Sequence, residues 1–524
     1  MSLPAKIWHH ISTFVPLSDL KELYAVNQAF FDISMNARYR ELRFEQLNKF
    51  VFHQLESLRN REIASRVRSF HLSPRVIRDQ LELEYENEEA AALRLQETQK
   101  PPSRLRRIAR RLFGRFNRPD EDEHRGSNDS TRTTPILDAI SNVIPLMTNV
   151  QHYSVKWSRF DDFSAPYAGL VWQLFSSNVV DLELAISASQ ASQLMTMLSV
   201  PIPQLESLAI DLLIDTPFLK CQVALGRLVS AVRGTLKKLR VHSNPFLPLS
   251  TLFSHMPELP RLVDLQICIS GPGMHMDDVA LALVKRQAAH LQKLYLSSFK
   301  LGFSQAKTSF CLDEVVMPYL HSLDIVPELL NCPEAQLSTF FSTHASTLKH
   351  FCIQGFWPMD GPQTVLESLG HRNPHHSLTR LSLYIPFQAK VLDRLATIFF
   401  RLDSLWLRIG KVSSNSQDTQ VIPSDSFPDI NFVLESQSSH FLLQDMGQYE
   451  SFERWKLRNI MIKRYSCCGD LILWGLMRLC AHYIPSITSF AENGDTLIPD
   501  PPNLKPRRGP ATCSDVFCRY GKDN

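Results

Sequence analysis

The feature that most constrains this chain is a triplet of apolar residues, spaced i, i+3, i+5, that returns at a nearly fixed interval. The triplets are Val67, Phe70, Leu72; Val150, Tyr153, Val155; Val179, Leu182, Leu184; Leu205, Leu208, Ile210; Leu236, Leu239, Val241; Leu262, Leu265, Ile267; Leu291, Leu294, Leu296; Leu320, Leu323, Ile325; Leu348, Phe351, Ile353; Leu378, Leu381, Leu383; Leu402, Leu405, Leu407; and, after a gap, Phe452, Trp455, Leu457. From Val150 to Leu402 the nine intervals span 252 residues, a mean of 28. The last two residues of each triplet alternate with polar ones, which predicts a strand with one buried face. Segments 191–198, 223–232 and 279–289 have helical apolar spacing and few breakers, so they supply a second layer. No unit of this size buries its own face, and stacked neighbours create the core.

The spacing L-x-x-L-x-L and the period resemble leucine-rich repeats, whose units run to roughly 20–29 residues. The resemblance implies an α/β fold: a horseshoe solenoid with a concave parallel sheet and convex helices. A doubly wound sheet would show fewer units and no constant period.

Residues 3–44 read LPAKIWHHISTFVPLSDLKELYAVNQAFFDISMNARYRELRF. Ile7, Ile11, Phe14 and Val15 share one helix face, and Pro4 suits a first turn, where its missing N–H has no partner to lose. Pro16 ends that helix, and Ser18 with Asp19 suits the cap of a second one carrying Leu20, Leu23 and Val26; a third carries Phe30, Phe31 and Ile33. A unit of about 40 residues sits at the lower limit for folding alone, so its apolar surface calls for a partner as well as its own core. The order of Leu3-Pro4, an apolar helix, Pro16-Leu17-Ser18-Asp19-Leu20 and the Val26–Phe30 region is similar to an F-box. That resemblance implies binding to the Skp-type adaptor of cullin-RING ubiquitin ligases through Leu3, Pro4, Ile7, Ile11, Phe14, Leu20, Leu23 and Val26. Lys6 and Phe44 depart from residue types common in the family, and neither removes an apolar anchor. A helical cap on the first repeat is the other reading of the same residues.

The expected organisation is an F-box over 1–45, a linker helix and first repeat over 46–79, an insertion over 80–134, a solenoid over 135–484 and a tail over 485–524. The insertion has an acidic first half, Pro101-Pro102 and a polar end that cannot bury enough apolar surface to fold alone. Its stretch 104–118 holds seven arginines with Leu105, Ile108, Leu112 and Phe116 at helical spacing. A nuclear-import signal, an anionic-lipid contact, a clamp on the acidic run 82–89 and a solvated insertion without a role all stay open for it. A Ser-rich stretch over 413–426 reads as a second loop.

The 56 basic and 53 acidic residues give a net charge of +3, too small to imply a nucleic-acid partner without a concentrated patch, and none is expected. The ten cysteines form no C-x-x-C pair and read as reduced thiols. No apolar run is long enough to span a bilayer and no secretory signal opens the chain, so the cytosol or nucleus is the expected compartment. Phosphate-loop, nucleophile-elbow, zinc-protease and kinase patterns are all missing, which disfavours an enzyme and leaves no cofactor expected. His9 with His10, the group His371, His375 and His376, and the pair Cys513 and Cys518 are weak metal candidates and read better as solvated positions.

The combined resemblance implies a non-catalytic substrate-recognition subunit that binds an adaptor, and through it a cullin, at the N-terminus and a protein target on the repeats. A repeat scaffold that works without a ligase is the alternative. Within each strand the residues between the apolar anchors point away from the core, which puts Asp181, Glu183, Asp211, Lys238 and Arg240 on the early face. The late face is expected to carry Arg380, Tyr384, Trp406, Arg408, Arg454, Lys456 and Arg458. Trp, Tyr and Arg dominate interface energetics, and guanidinium groups suit an acidic or phosphorylated target.

Overall fold

In the computed structural model, the described residues are 4–20, 22–46, 48–73, 75–76, 135–157, 178–187, 202–213, 219–243, 249–270, 278–299, 315–325, 334–353, 366–369, 377–385, 387–409, 445–464, 471–472 and 474–490. The 80–134 insertion, the 413–426 stretch, His371, His375, His376, Cys513, Cys518 and most of the C-terminal tail lie outside them. The chain divides into two compact units, Met1–Pro257 and Glu258–Asn524.

The first unit opens with helices α1 (Ala5–Ser12), α2 (Leu17–Leu20) and α3 (Gln28–Tyr39). Pro4 is the N-cap of α1, and its carbonyl accepts from the Ile7 amide at 2.9 Å. The Asn27 side chain caps α3 by accepting from Phe30 N at 2.9 Å, since the first amides of a helix have no partner inside it. The expected second helix is shorter than its apolar spacing suggested. It ends at Leu20 and gives way to a separate 3-10 turn at Leu23–Ala25.

Six parallel strands follow in this unit: β1 (Glu41–Phe44), β2 (Ser69–Leu72), β3 (His152–Trp157), β4 (Asp181–Ser187), β5 (Ser207–Leu213) and β6 (Lys238–Ser243), each paired with the next in chain order. The second unit continues with β7 (Asp264–Ser270), β8 (Lys293–Phe299), β9 (Ser322–Ile325), β10 (His350–Ile353), β11 (Arg380–Tyr384), β12 (Ser404–Ile409) and β13 (Asn459–Arg464), again parallel and sequential, with a short antiparallel β14 (Leu471–Ile472) against the end of β13.

A backbone device repeats with the triplet. One carbonyl, next to the first triplet residue, accepts from two consecutive amides of the following repeat: Arg40 O from Arg68 N and Ser69 N, Glu206 O from Lys237 N and Lys238 N, His321 O from Lys349 N and His350 N, Thr379 O from Asp403 N and Ser404 N. The same pair forms from Arg458 N and Asn459 N to Asp403 O, and from Thr488 N and Ser489 N to Arg458 O. Each repeat therefore satisfies the strand-entry amides of the next, where they would otherwise be orphaned.

This ladder corrects the ends of the series. A repeat not anticipated from the sequence begins at Tyr39, with Leu42 and Phe44 completing its triplet inside the segment assigned to the F-box, and all three are buried. The late triplet is Leu457, Ile460, Ile462 and not Phe452, Trp455, Leu457. Phe452 and Trp455 are buried, but they sit on a one-turn helix (Ser451–Arg454) and the coil after it, where the Trp455 indole donates to Phe399 O at 3.0 Å.

The triplet residues are buried throughout both units, as are Leu225, Leu228 and Val229 of helix Leu219–Ala231 and Leu281, Leu283 and Val284 of helix Asp278–Gln287, so in each unit a core lies between sheet and helices. These two helices overlap the expected segments 223–232 and 279–289, the first starting four residues earlier, and the expected segment 191–198 lies outside the described residues. Gly226 is required for close packing, because a Cβ there would meet the His255 Cβ at 2.7 Å. A chain-ordered parallel sheet backed by helices is consistent with a leucine-rich-repeat solenoid.

Polar side chains join repeats inside the core. Gln287 Oε1 accepts from the Leu259 amide at 3.0 Å, and His344 Nε2 accepts from the Met317 amide at 2.9 Å. Gln287 and His344 each stand four residues before a triplet, and Leu259 and Met317 each stand three residues before the preceding one. The two bonds are thus one device used with different side chains.

Candidate protein-docking surfaces

The N-terminal helices divide their apolar residues between two tasks. Leu20, Phe30 and Ile33 are buried, with Trp8, Ile11, Val15 and Leu23 packed against them. Trp8 and Phe30 rings lie 5.1 Å apart, and Ser34 Oγ donates to Leu20 O at 2.6 Å, which ties α3 to α2. Facing away from this core, Ile7 is 43% exposed, Phe14 76%, Tyr24 55% and Val26 59%. Of the eight residues expected to meet an adaptor, Ile7, Phe14 and Val26 therefore remain presented, Pro4 is an exposed cap, Ile11, Leu20 and Leu23 serve the internal core, and Leu3 lies outside the described residues. Tyr24 was missed by sequence reasoning, as were Phe50 and Phe52 on helix Lys49–Leu58, both of them exposed. Single exposed apolar residues are ordinary, whereas several on one small helical unit make it a candidate interaction surface. His9 and His10 are exposed, and the His10 ring meets Phe14 edge-on at 5.2 Å.

These helices are fastened to the repeats by Arg66. Its guanidinium donates to Asp32 Oδ1 at 2.8 Å, Asn36 Oδ1 at 3.0 Å and Glu62 Oε1 at 3.0 Å, and the hydrogen bond from Arg66 holds the Asp32 carboxyl below its ordinary range.

Several acidic side chains on the open sheet face of the first unit have partners on that same face. Glu183 accepts from Arg240 at 2.8 Å and from Ser154 Oγ at 2.9 Å, Asp181 lies 3.5 Å from His152, Asp211 pairs with His242, and Arg43 pairs with Glu41.

The second unit presents a different face, ordered in three rows by strand register. The first row is Ser322, His350, Arg380, Ser404 and Asn459; the second is Asp324, Cys352, Ser382, Trp406 and Met461; the third is Tyr384, Arg408 and Lys463. The Arg380 guanidinium carbon sits 5.3 Å from the Trp406 ring centroid, a cation–π contact. Burial, followed by the neighbouring Arg380 charge, keeps the His350 imidazole below its ordinary pKa. Burial likewise pushes the Cys352 thiol up to about 12, so it stands in the middle row as a neutral group.

Arg380, Tyr384, Trp406 and Arg408 are thus brought together as the spacing predicts. Arg454, Lys456 and Arg458 are not in the strand: Arg454 ends a helical turn, Lys456 lies in the coil where its amide donates to Phe400 O at 3.1 Å, and Arg458 directly precedes β13. The cation that joins the rows from β13 is Lys463, which the shifted triplet register hid.

Among the described residues no group of three metal-ligating side chains gathers, and no helix is long and apolar enough to cross a membrane. No protein-family model matches the chain. No curated protein matches it either. Among solved structures, a chain of a TLR13–ssRNA13 complex aligns over 68% of this chain and 45% of its own length, at 11% identity and a TM-score of 0.30. The alignment thus spans less than half of that protein, and a likeness of this size has no bearing on function.

Proposed function

We propose that the chain is a protein-binding receptor, specifically the substrate-recognition subunit of a cullin-RING ubiquitin ligase. Its N-terminal helices would take a Skp-type adaptor and its second-unit sheet face a protein target. The observation that supports this reading is the outward set Ile7, Phe14, Tyr24 and Val26 on a three-helix unit whose own core takes Leu20, Phe30 and Ile33 with Trp8, Ile11, Val15 and Leu23 against them. A receptor of this kind does no chemistry. It raises the effective concentration of target lysines beside a charged conjugating enzyme.

The test is the double substitution Ile7→Asp with Phe14→Asp, chosen because both side chains are exposed and the helical core should survive. Burying each apolar side chain at an interface contributes about 1.5–3 kcal/mol, so adaptor affinity should fall by about a hundredfold or more. Unchanged co-purification with adaptor and cullin by a folded double variant would overturn the adaptor assignment. A wild-type chain that ignores the adaptor while still capturing targets would point to a repeat scaffold working without a ligase.

A further inference from the structure

We infer that the outer edge of β1 pairs with the same edge of a second copy of this chain, in a two-fold antiparallel dimer where Glu41 of each copy faces Arg43 of the other. β1 opens the series of parallel strands, and among the described residues no strand lies on its outer side. Strand alternation decides which backbone groups are left over there. Arg40 O accepts from Arg68 N and Ser69 N, and Phe44 O accepts from Ser73 N, so the even-numbered residues turn their backbone groups toward β2. The N–H and C=O of Glu41 and Arg43 therefore point outward, and such an edge is a template for another strand.

Those groups fit their own image in one register. Opposed residues of an antiparallel pair exchange both bonds at every second position. Setting Glu41 against Arg43 and Arg43 against Glu41 uses all the outward groups of both copies and puts the two Leu42 residues opposite each other on the two-fold axis. A slip of one residue points these groups at positions whose own groups are turned to β2, and a slip of two sets Glu41 against Glu41 or Arg43 against Arg43. Within one chain Arg43 Nε donates to Glu41 at 2.6 Å, and both side chains are exposed, so this pair contributes little and is readily exchanged for pairs across the axis. A short edge of like charges repels a second copy, whereas this one alternates in sign and is complementary to itself.

The surroundings leave the edge accessible. Arg66, directly before Val67 at the entry to β2, bonds Asp32 and Asn36, which draws α3 toward that entry and away from the outer flank of β1. On helix Lys49–Leu58, Phe50 and Phe52 stand about 100° to either side of the buried stripe Val51, Gln54, Leu55 and Leu58. Helix Pro135–Val143 packs along one flank, so one of the two exposed phenylalanines turns the other way and offers apolar surface to the second copy. The last parallel strand, β13, is already met by β14 and by the Asn459–Ser489 bridge, so the contact closes as a two-fold pair and does not extend into a filament.

The inference is independent of the adaptor and target readings, and its test is sedimentation velocity of the full chain. The edge is short, so wild type should pass from monomer to dimer across about 1–100 μM, as small interfaces do. Glu41→Arg makes the edge wholly basic and Arg43→Glu makes it wholly acidic, and each alone should weaken the dimer by about tenfold or more. A one-to-one mixture of these two variants should associate as wild type does, because a basic edge then meets an acidic one. The double variant Glu41→Arg with Arg43→Glu keeps the pair within the chain, serves where a single variant fails to fold, and should dimerise within about threefold of wild type. A wild type that stays monomeric throughout, folded single variants that dimerise as tightly as wild type, or a folded double variant that does not dimerise overturns the inference.

Discussion

Replacing His344 by Leu and by Gln tests the claim that a buried side-chain acceptor clamps adjacent repeats. The Met317 amide can only donate, so His344 Nε2 must accept, which puts the ring proton on Nδ1, 2.8 Å from Phe340 O. Burial lowers the His344 pKa, since the imidazolium would be desolvated and would also turn a second N–H against the Met317 amide. His344→Leu leaves that buried amide without its acceptor and should cost about 1–3 kcal/mol. His344→Gln supplies the acceptor that Gln287 already uses for Leu259 at 3.0 Å. Both variants lose the stacking on Phe340, whose ring centroid is 4.3 Å away, so their difference isolates the hydrogen bond. Because the folded pKa lies below the unfolded one, the unfolded chain binds the extra proton: the wild-type contribution is fully present above about pH 6.5 and is lost as the pH falls through that value toward the folded pKa. The assay is urea unfolding of the three proteins from pH 8 to pH 5, with hydrogen exchange of the Met317 amide as the local probe. Equal stability losses for Leu and Gln at pH 8, or an undiminished pH slope in His344→Gln, would refute the reasoning.

Two further outcomes follow from the ladder and the Arg66 fastening. Ile462→Ala, at a fully buried triplet position, should cost about 2–5 kcal/mol, while Arg454→Ala and Lys456→Ala should each stay within about 0.5 kcal/mol; comparable losses in urea unfolding would return Arg454 and Lys456 to the strand. Arg66→Ala should loosen α3 by about 1 kcal/mol, discounted for the partial exposure of Asp32, and the wild-type contribution should be present above about pH 4 and fade as pH falls; proteolysis of α3 at an unchanged rate would count against the fastening.

The period was legible because each repeat imposes the same demand on sequence: two inward strand residues and one before them to close the turn. Its ends were less legible for different reasons. Tyr39 belongs to a helix and to a triplet at once, and Phe44 reads equally well as the end of a helical motif, so the first repeat was hidden by double use. Near the end, Phe452, Trp455 and Leu457 satisfy the template as fully as Leu457, Ile460 and Ile462, and both sets are buried. Only the second alternates correctly through Met461 and Lys463 into pairing with Trp406 and Arg408. Arg380, Trp406 and Arg408 could be placed together from spacing alone because register follows from aligned triplets. The Gln287 and His344 clamps could not, since each joins residues in successive repeats and the shared position is filled by different side chains. The partition of Ile7 and Phe14 from Ile11 and Leu20 also needed structure, because one apolar stripe was divided between a core and a surface.

That partition has a mechanical consequence for the proposed receptor. α3 ends at Tyr39, which is buried as the first residue of a triplet, and the next carbonyl, Arg40 O, already receives the Arg68 and Ser69 amides of the following repeat. No linker separates the helices from the sheet. A proximity device gains most when the two bound partners are held at a limited set of separations, because a long flexible connection dilutes the effective concentration it creates. With α3 entering the ladder directly and Arg66 bonding Asp32 and Asn36, the proposed partner on Ile7 and Phe14 would be coupled to the first-unit repeats without an intervening linker. The helices thus lean on the first repeat of the array, which is why their own apolar core can be as small as Leu20, Phe30 and Ile33 while Ile7, Phe14, Tyr24 and Val26 stay exposed.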